Sequence, residues 1–131
     1  LWNDMMRIRA IDIDLIDDIN ESAKSVYPDE FLCTLSAEDG VICEMVMLPG
    51  TVYGDEHSFL NLWMAPANCN IVGTAHSHPD YCNMASDADL DLFRNMGGFH
   101  LITCMPFDRT SWKLYNSLGE EVELEVVSQV M

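Results

Sequence analysis

Apolar positions recur at spacings of three and four between Asp12 and Tyr27, where Ile16, Ile19, Ala23 and Val26 are separated by Asp17, Asp18, Asn20, Glu21 and Lys24. This period predicts an amphipathic helix, capped by Asp12 or Asp14 and stopped by Pro28. The pattern then changes. Residues 31–35 and 41–48 are apolar runs on either side of Glu38-Asp39-Gly40, which reads as a hairpin. Pro49-Gly50 breaks the second run, and residues 51–56 read as a loop. Residues 57–64 predict a third strand, with Phe59 and either Leu60 or Leu62 inward. Residues 70–76, carrying Ile71, Val72, Thr74 and Ala75, have the unbroken apolar character of a buried strand.

A polar stretch over 77–85 leads into 86–96, which predicts a second helix with Leu90, Phe93 and Met96 inward and Gly97-Gly98 as its stop. Residues 99–105, 111–115 and 121–127 read as three more strands, with turns at 106–108 and 118–119. Residues 1–10 carry no clear pattern and read as an N-terminal extension. The expectation is a single α/β domain over residues 1–131, with six or seven strands, at least two helices and no internal repeat.

Composition narrows the function classes. Asp plus Glu number 22 against 6 Lys plus Arg, a net charge of −16. That charge repels phosphate backbones and anionic headgroups, so neither nucleic acid nor membrane is an expected partner. No apolar run approaches the ~20 residues that span a bilayer, and the start lacks a signal-peptide pattern, so a cytoplasmic location is expected. Five cysteines (Cys33, Cys43, Cys69, Cys82, Cys104) without a C-x-x-C form neither a secreted disulfide framework nor a four-thiolate zinc site. Cys33 and Cys43 read as free buried thiols. Cys82, in the polar stretch, and Cys104, at the end of the strand after the second helix, are expected to meet if their strands are neighbours, as a contact or a disulfide.

The chemistry concentrates at Ala75-His76-Ser77-His78-Pro79, at the end of the buried strand. Histidines at i and i+2 on an extended segment project to one side, where two imidazoles can meet one metal ion. Taken alone, such a pair also serves simply to hydrogen-bond. Asp89 follows within the first turn of the second helix, and a carboxylate there could turn back as a third ligand. Ser86-x-x-Asp89 before an apolar run is equally a helix capping box. Two His and one Asp would leave the fourth position of a zinc ion open for water, as in catalytic sites. Ser77 reads as a local hydrogen-bonding residue, and His57 and His100 as lone structural or surface histidines. Asp87 and Asp91 read as a solvated helix face, and Trp63-Met64 as core or interface filler.

The full order, H-S-H-P, six residues, Ser, two residues, Asp, resembles the signature of the JAMM/MPN⁺ metalloprotease family, an upstream Glu followed by H-[ST]-H-P-x6-S-x2-D. It looks most like the compact archaeal members. The resemblance covers nearly the whole chain, from Ala23-Lys24-Ser25-Val26-Tyr27-Pro28-Asp29-Glu30-Phe31, through Gly73-Thr74-Ala75-His76-Ser77-His78-Pro79, to Gly119-Glu120-Glu121-Val122-Glu123-Leu124-Glu125-Val126-Val127. It implies an MPN fold: a curved mixed β-sheet flanked by helices, with cytidine-deaminase-like layering. It also implies one catalytic Zn²⁺ on His76, His78 and Asp89, with Ser86 supporting the tetrahedral intermediate. The upstream Glu falls in a Pro-x-Glu-Phe segment and points to Glu30 as general base; Glu44, mid-strand between Cys43 and Met45, is the competitor and reads as solvent-facing.

The activity implied is amide or isopeptide hydrolysis by water. Ser86 is not the nucleophile, because no G-x-S-x-G elbow surrounds it. Family members remove ubiquitin-like modifiers with Gly-Gly tails from lysines, and an exposed strand near 57–64 could pair with such a tail. Two alternatives stay open: a processing protease for β-grasp sulfur-carrier proteins, and a non-catalytic MPN scaffold. Scaffold relatives have usually lost ligands, whereas Glu30, His76, His78, Ser86 and Asp89 are all present here.

Overall fold

The computed structural model describes residues 7–46 and 71–128. They form β1 (Ala10–Asp12), α1 (Ile13–Val26), β2 (Leu32–Glu38), β3 (Val41–Val46), β4 (Ile71–His78), α2 (Asp87–Met96), β5 (Phe99–Cys104), β6 (Trp112–Tyr115), β7 (Glu121–Val122) and β8 (Glu125–Val127). The strand expected over 57–64, with His57, and also Trp63-Met64 and Cys69, lie outside the described residues. No helix among those described is long and apolar enough to cross a membrane.

Each predicted element has a local cause. Asp12 caps α1 by accepting the Asp14 N–H at 2.9 Å, and Leu15, Ile16, Ile19 and Ala23 form its buried stripe. The hairpin between β2 and β3 turns on Asp39 (φ 54°) and Gly40 (φ 80°), two positive-φ positions that match the twist of the strands. Ser86 caps α2, and Gly97, also at positive φ, ends it.

The strands make one mixed sheet in the order β7-β6-β5-β4-β2-β3-β1-β8. β1 runs parallel to β3 and β8, and β4 parallel to β5 through the α2 crossover; β2 is antiparallel to both its neighbours. The two edge strands, β7 and β8, are joined by only Glu123 and Leu124. A flat sheet of this order would hold its edges about 34 Å apart. The three steps from Val122 to Glu125 reach about 11 Å at most. The sheet therefore curls into a half-barrel, a consequence of chain length alone.

Residues 121–127 are two strands on opposite edges, not one, because the alternation continues across the corner where the chain changes edge. Residues 10–12, for which no strand is expected from the pattern (1–10 reading as an extension and Asp12 as the helix cap), form the buried strand β1 between β3 and β8.

The two helices cover different faces. α1 packs with Cys33, Leu35, Ala75, Leu101 and Leu114, and α2 packs through Leu92 and Phe93 against Leu32, Ile102 and Tyr115. Strand alternation thus gives the end of β4 two audiences: Ala75 and Ser77 face α1, while Thr74, His76 and His78 face α2. At Gly73 a Cβ would fall 1.6 Å from the Phe99 carbonyl oxygen, so the close start of the β4–β5 pairing requires glycine. Asn20 locks α1 to the sheet from within, accepting from the Thr103 hydroxyl at 2.6 Å and donating to the Asp108 carbonyl at 2.9 Å.

Candidate metal centre

His76 and His78 leave the same face of β4, and α2 begins opposite them with Asp89 on its buried stripe beside Leu92 and Phe93. Leu90 and Met96, expected inward, are only half-buried; the helix turns Asp89 and Leu92 to the sheet instead. A ligand atom from each of His76, His78 and Asp89 lies within 4.8 Å of the others. The three residues are thus brought together as the spacing implied.

The capping box and the ligand role turn out to be one arrangement. The Ser86 N–H donates to Asp89 Oδ2 at 2.9 Å, and the Asp89 N–H donates to the Ser86 hydroxyl at 3.1 Å. These bonds aim the carboxylate at the histidines: Oδ2 sits 3.1 Å from His78 Nε2, and Oδ1 sits 3.0 Å from His76 Nε2.

The hydrogen-bond account shows what the cluster lacks. Cys82 offers His78 Nδ1 a carbonyl oxygen at 2.9 Å. A carbonyl only accepts, so Nδ1 carries the proton and a neutral ring turns its Nε2 lone pair toward Asp89. Lone pair facing carboxylate is repulsive unless a proton or a metal ion lies between them. His76 is buried, and neither of its ring nitrogens has a hydrogen-bond partner among the described residues. A buried imidazole without partners is costly in a protein that ends there. A metal ion removes both problems at once, and two imidazoles with one carboxylate are zinc ligands that leave a coordination position open. The residues present fit a catalytic zinc.

Without a metal ion, the groups of the cluster shift the ionisation of Asp89 and His78. Burial pushes the Asp89 carboxyl up, but the approach of His76 and His78 outweighs it and holds Asp89 well below the ordinary carboxylate range. Burial pushes His78 down, and it is overcome by Asp89, the Cys82 carbonyl and the charge of Glu30, so the ring is raised above its ordinary value.

Glu30 is exposed just before β2, and two-residue alternation from Leu32 sends it to the face of the sheet that carries the histidines. Glu44 is exposed on β3 opposite Ser36, and its charge acts on Cys43.

Other expected residues fall as follows. His100 is structural: its Nε2–H donates to the Gly97 carbonyl and its Nδ1 accepts from the Thr74 hydroxyl, both at 2.7 Å. Asp87 and Asp91 are exposed, Asp91 lying 3.8 Å from Arg94. Cys33, Cys43, Cys82 and Cys104 are free thiols. Cys82 and Cys104 form no disulfide: both are free, and Cys104 Sγ donates to the Ser111 carbonyl at 3.3 Å. Ser77 does not bond locally: its hydroxyl accepts from the Phe31 N–H, 46 residues away, at 2.8 Å. A hydroxyl on the core-facing side of a buried strand was the available signal for that contact. The His78–Cys82 bond had none.

Fold and site together define a metalloprotease-like domain with a His-His-Asp zinc site on a curled sheet. The sequence pattern of prokaryotic homologs of the JAB domain matches residues 12–115, so the chain belongs to that JAB/JAMM family. It is 28% identical over 128 residues to a probable metalloprotease of Haloferax volcanii, covering 90% of this chain and 79% of that protein. Among solved structures, one described as a JAMM metalloprotease-like zinc site in the proteasome and signalosome is 40% identical, with a TM-score of 0.73 over 92% of this chain and 99% of the other. A JAB1/MPN domain protein from Archaeoglobus fulgidus is 38% identical, with a TM-score of 0.74 over 92% and 97%.

Proposed function

We propose that this chain is an isopeptidase that releases ubiquitin-like modifiers from lysine, cutting the bond to their Gly-Gly tail by attack of water. The observation that carries the hydrolytic reading is the convergence of one ligand atom each from His76, His78 and Asp89 within 4.8 Å, at a buried His76 whose ring nitrogens make no hydrogen bond among the described residues. When bound, zinc polarises the scissile carbonyl and lowers the pKa of a coordinated water from about 15.7 to about 7.

The protein's own groups do the rest. Glu30, exposed and on the histidine face, takes the proton of the attacking water and hands it to the leaving amine. The Ser86 hydroxyl uses a lone pair to cap α2, which leaves its hydrogen free to donate to the developing oxyanion. Asp89 and His78 are held in place by the cap and the Cys82 carbonyl, so neither must reorganise during the reaction. Tyr81 and Met84, 76% and 58% exposed on the loop between His78 and Ser86, supply apolar contact area suited to a macromolecular substrate.

The test compares wild type with Glu30→Ala on two substrates: a ubiquitin-like modifier joined to lysine by an isopeptide bond, and the same modifier with a linear C-terminal extension. Cleavage of the isopeptide by wild type only, with zinc bound to both proteins, supports the reading. Cleavage of the linear extension alone moves the assignment to carrier processing. No zinc in wild type means a scaffold.

A further inference from the structure

Ser77 stands between two metal ligands, yet its side chain leaves the opposite face of β4 from theirs. The pairing of β2 with β4 runs Cys33↔Ala75 and Leu32↔His76, so the next rung outward is Phe31 against Ser77. That rung is closed in an unusual way. The Ser77 N–H donates to the Phe31 carbonyl at 3.0 Å, and the return bond runs from the Phe31 N–H to the Ser77 hydroxyl at 2.8 Å. Both residues are buried, so water cannot replace either bond cheaply. Immediately before Phe31, the chain is exposed and leaves the sheet with Glu30. This last rung is therefore the backbone anchor next to Glu30, and it is fastened to the strand that carries His76 and His78.

We propose that Ser77 is a positioning residue for Glu30: its hydroxyl, by holding the Phe31 N–H, fixes where the Glu30 carboxylate stands relative to the two histidines. This rests on Glu30 being the general base. Ser77 touches neither the metal ligands' ring atoms nor the reacting groups in this arrangement; it acts through the backbone. A proton-transfer group displaced by about 1 Å can lose on the order of a hundredfold in rate, so a single buried hydroxyl is enough to matter.

The experiment uses the zinc-loaded full chain and a reporter with an isopeptide bond between a ubiquitin Gly-Gly terminus and a lysine ε-amine. Ser77→Ala is expected to lower kcat about tenfold to a hundredfold, with KM and zinc stoichiometry unchanged. Exchange of the Phe31 amide hydrogen, followed by NMR, is expected to speed up while the Leu35 amide keeps its protection. Ser77→Thr, which keeps the hydroxyl, is expected to restore both the rate and the slow Phe31 exchange.

The double variant Glu30→Gln/Ser77→Ala separates this proposal from the one beneath it. If Ser77 acts through Glu30, the second change adds nothing to the loss caused by Glu30→Gln. A further loss in the double variant, or loss of zinc in Ser77→Ala, overturns the positioning role. So does unchanged kcat in Ser77→Ala alongside an inactive Glu30→Gln. An active Glu30→Gln removes the general-base assignment, and this proposal with it.

Discussion

His76 and His100 lie on neighbouring parallel strands and are both almost wholly buried, at 3% and 0% exposure, yet they are treated in opposite ways. Both ring nitrogens of His100 are bonded at 2.7 Å, to Thr74 and to the Gly97 carbonyl that ends α2, and its ring stacks on Phe93 with centroids 4.4 Å apart. Neither nitrogen of His76 has a hydrogen-bond partner among the described residues. Burial does not distinguish a structural histidine from a metal ligand here. The completeness of the hydrogen-bond account does, because a satisfied ring fastens its neighbours together while a ring unsatisfied among the described residues, with a carboxylate facing it, is set to take a metal ion. The satisfied ring ties the C-terminal end of α2 to β4, while the Ser86 cap at the other end of the helix aims Asp89 at His76.

Breaking the two sides separately gives different losses. His76→Ala is expected to abolish stoichiometric zinc binding and reduce cleavage to background. The metal-free protein should lose less melting temperature than metal-free His100→Ala, because the buried ring leaves a cavity but takes no hydrogen bond among the described residues with it; metal analysis and a thermal melt in chelator check both parts. Glu30→Gln is expected to cost about a hundredfold or more in kcat with zinc retained, measured by single-turnover cleavage and metal content.

His100→Ala should reverse the pattern of His76→Ala. It opens a cavity against Phe93 and strips a partner from a buried carbonyl and hydroxyl. Together these effects should cost about 3 kcal/mol in denaturant unfolding. Zinc stoichiometry at saturating metal should stay unchanged.

The smallest effect is in pH. Burial lowers His100 from 6.5 to about 4, so between these values the unfolded chain binds a proton that the folded chain refuses. Stability from this ring is whole above pH 6.5, falls as pH drops toward 4, and then levels off. Between pH 7 and pH 5 the loss should be about 2 kcal/mol. The check compares unfolding of metal-free wild type with that of His100→Asn, in which this share of the loss should disappear.

The same contrast explains what the chain's residues disclosed in advance. Periodicity and caps revealed both helices, the hairpin and β4, because those elements are set by neighbours within a few positions. The strand of residues 10–12 escaped notice, since three residues carry no period and its partners β3 and β8 are remote in sequence. The change of edge at Glu123-Leu124 was hidden by an alternation that runs straight through it. At the site, residue types and spacing were enough for His76, His78 and Asp89. Asp89 carries a second signal, an acid on the same helical stripe as Leu92 and Phe93. Leu90 was expected inward but leans toward Gly119 in the turn after β6, a contact that no local pattern encodes. The Phe31–Ser77 rung joins residues 46 positions apart, so only the paired sheet makes it visible.

The central claim is that His76, His78 and Asp89 hold zinc, and anomalous diffraction at the zinc edge from crystals of the zinc-loaded protein tests it most directly. The account predicts one strong peak about 2 Å from His76 Nε2, His78 Nε2 and an Asp89 carboxylate oxygen. A peak elsewhere, or none at full zinc loading, with the His76 ring still unpartnered, would contradict it.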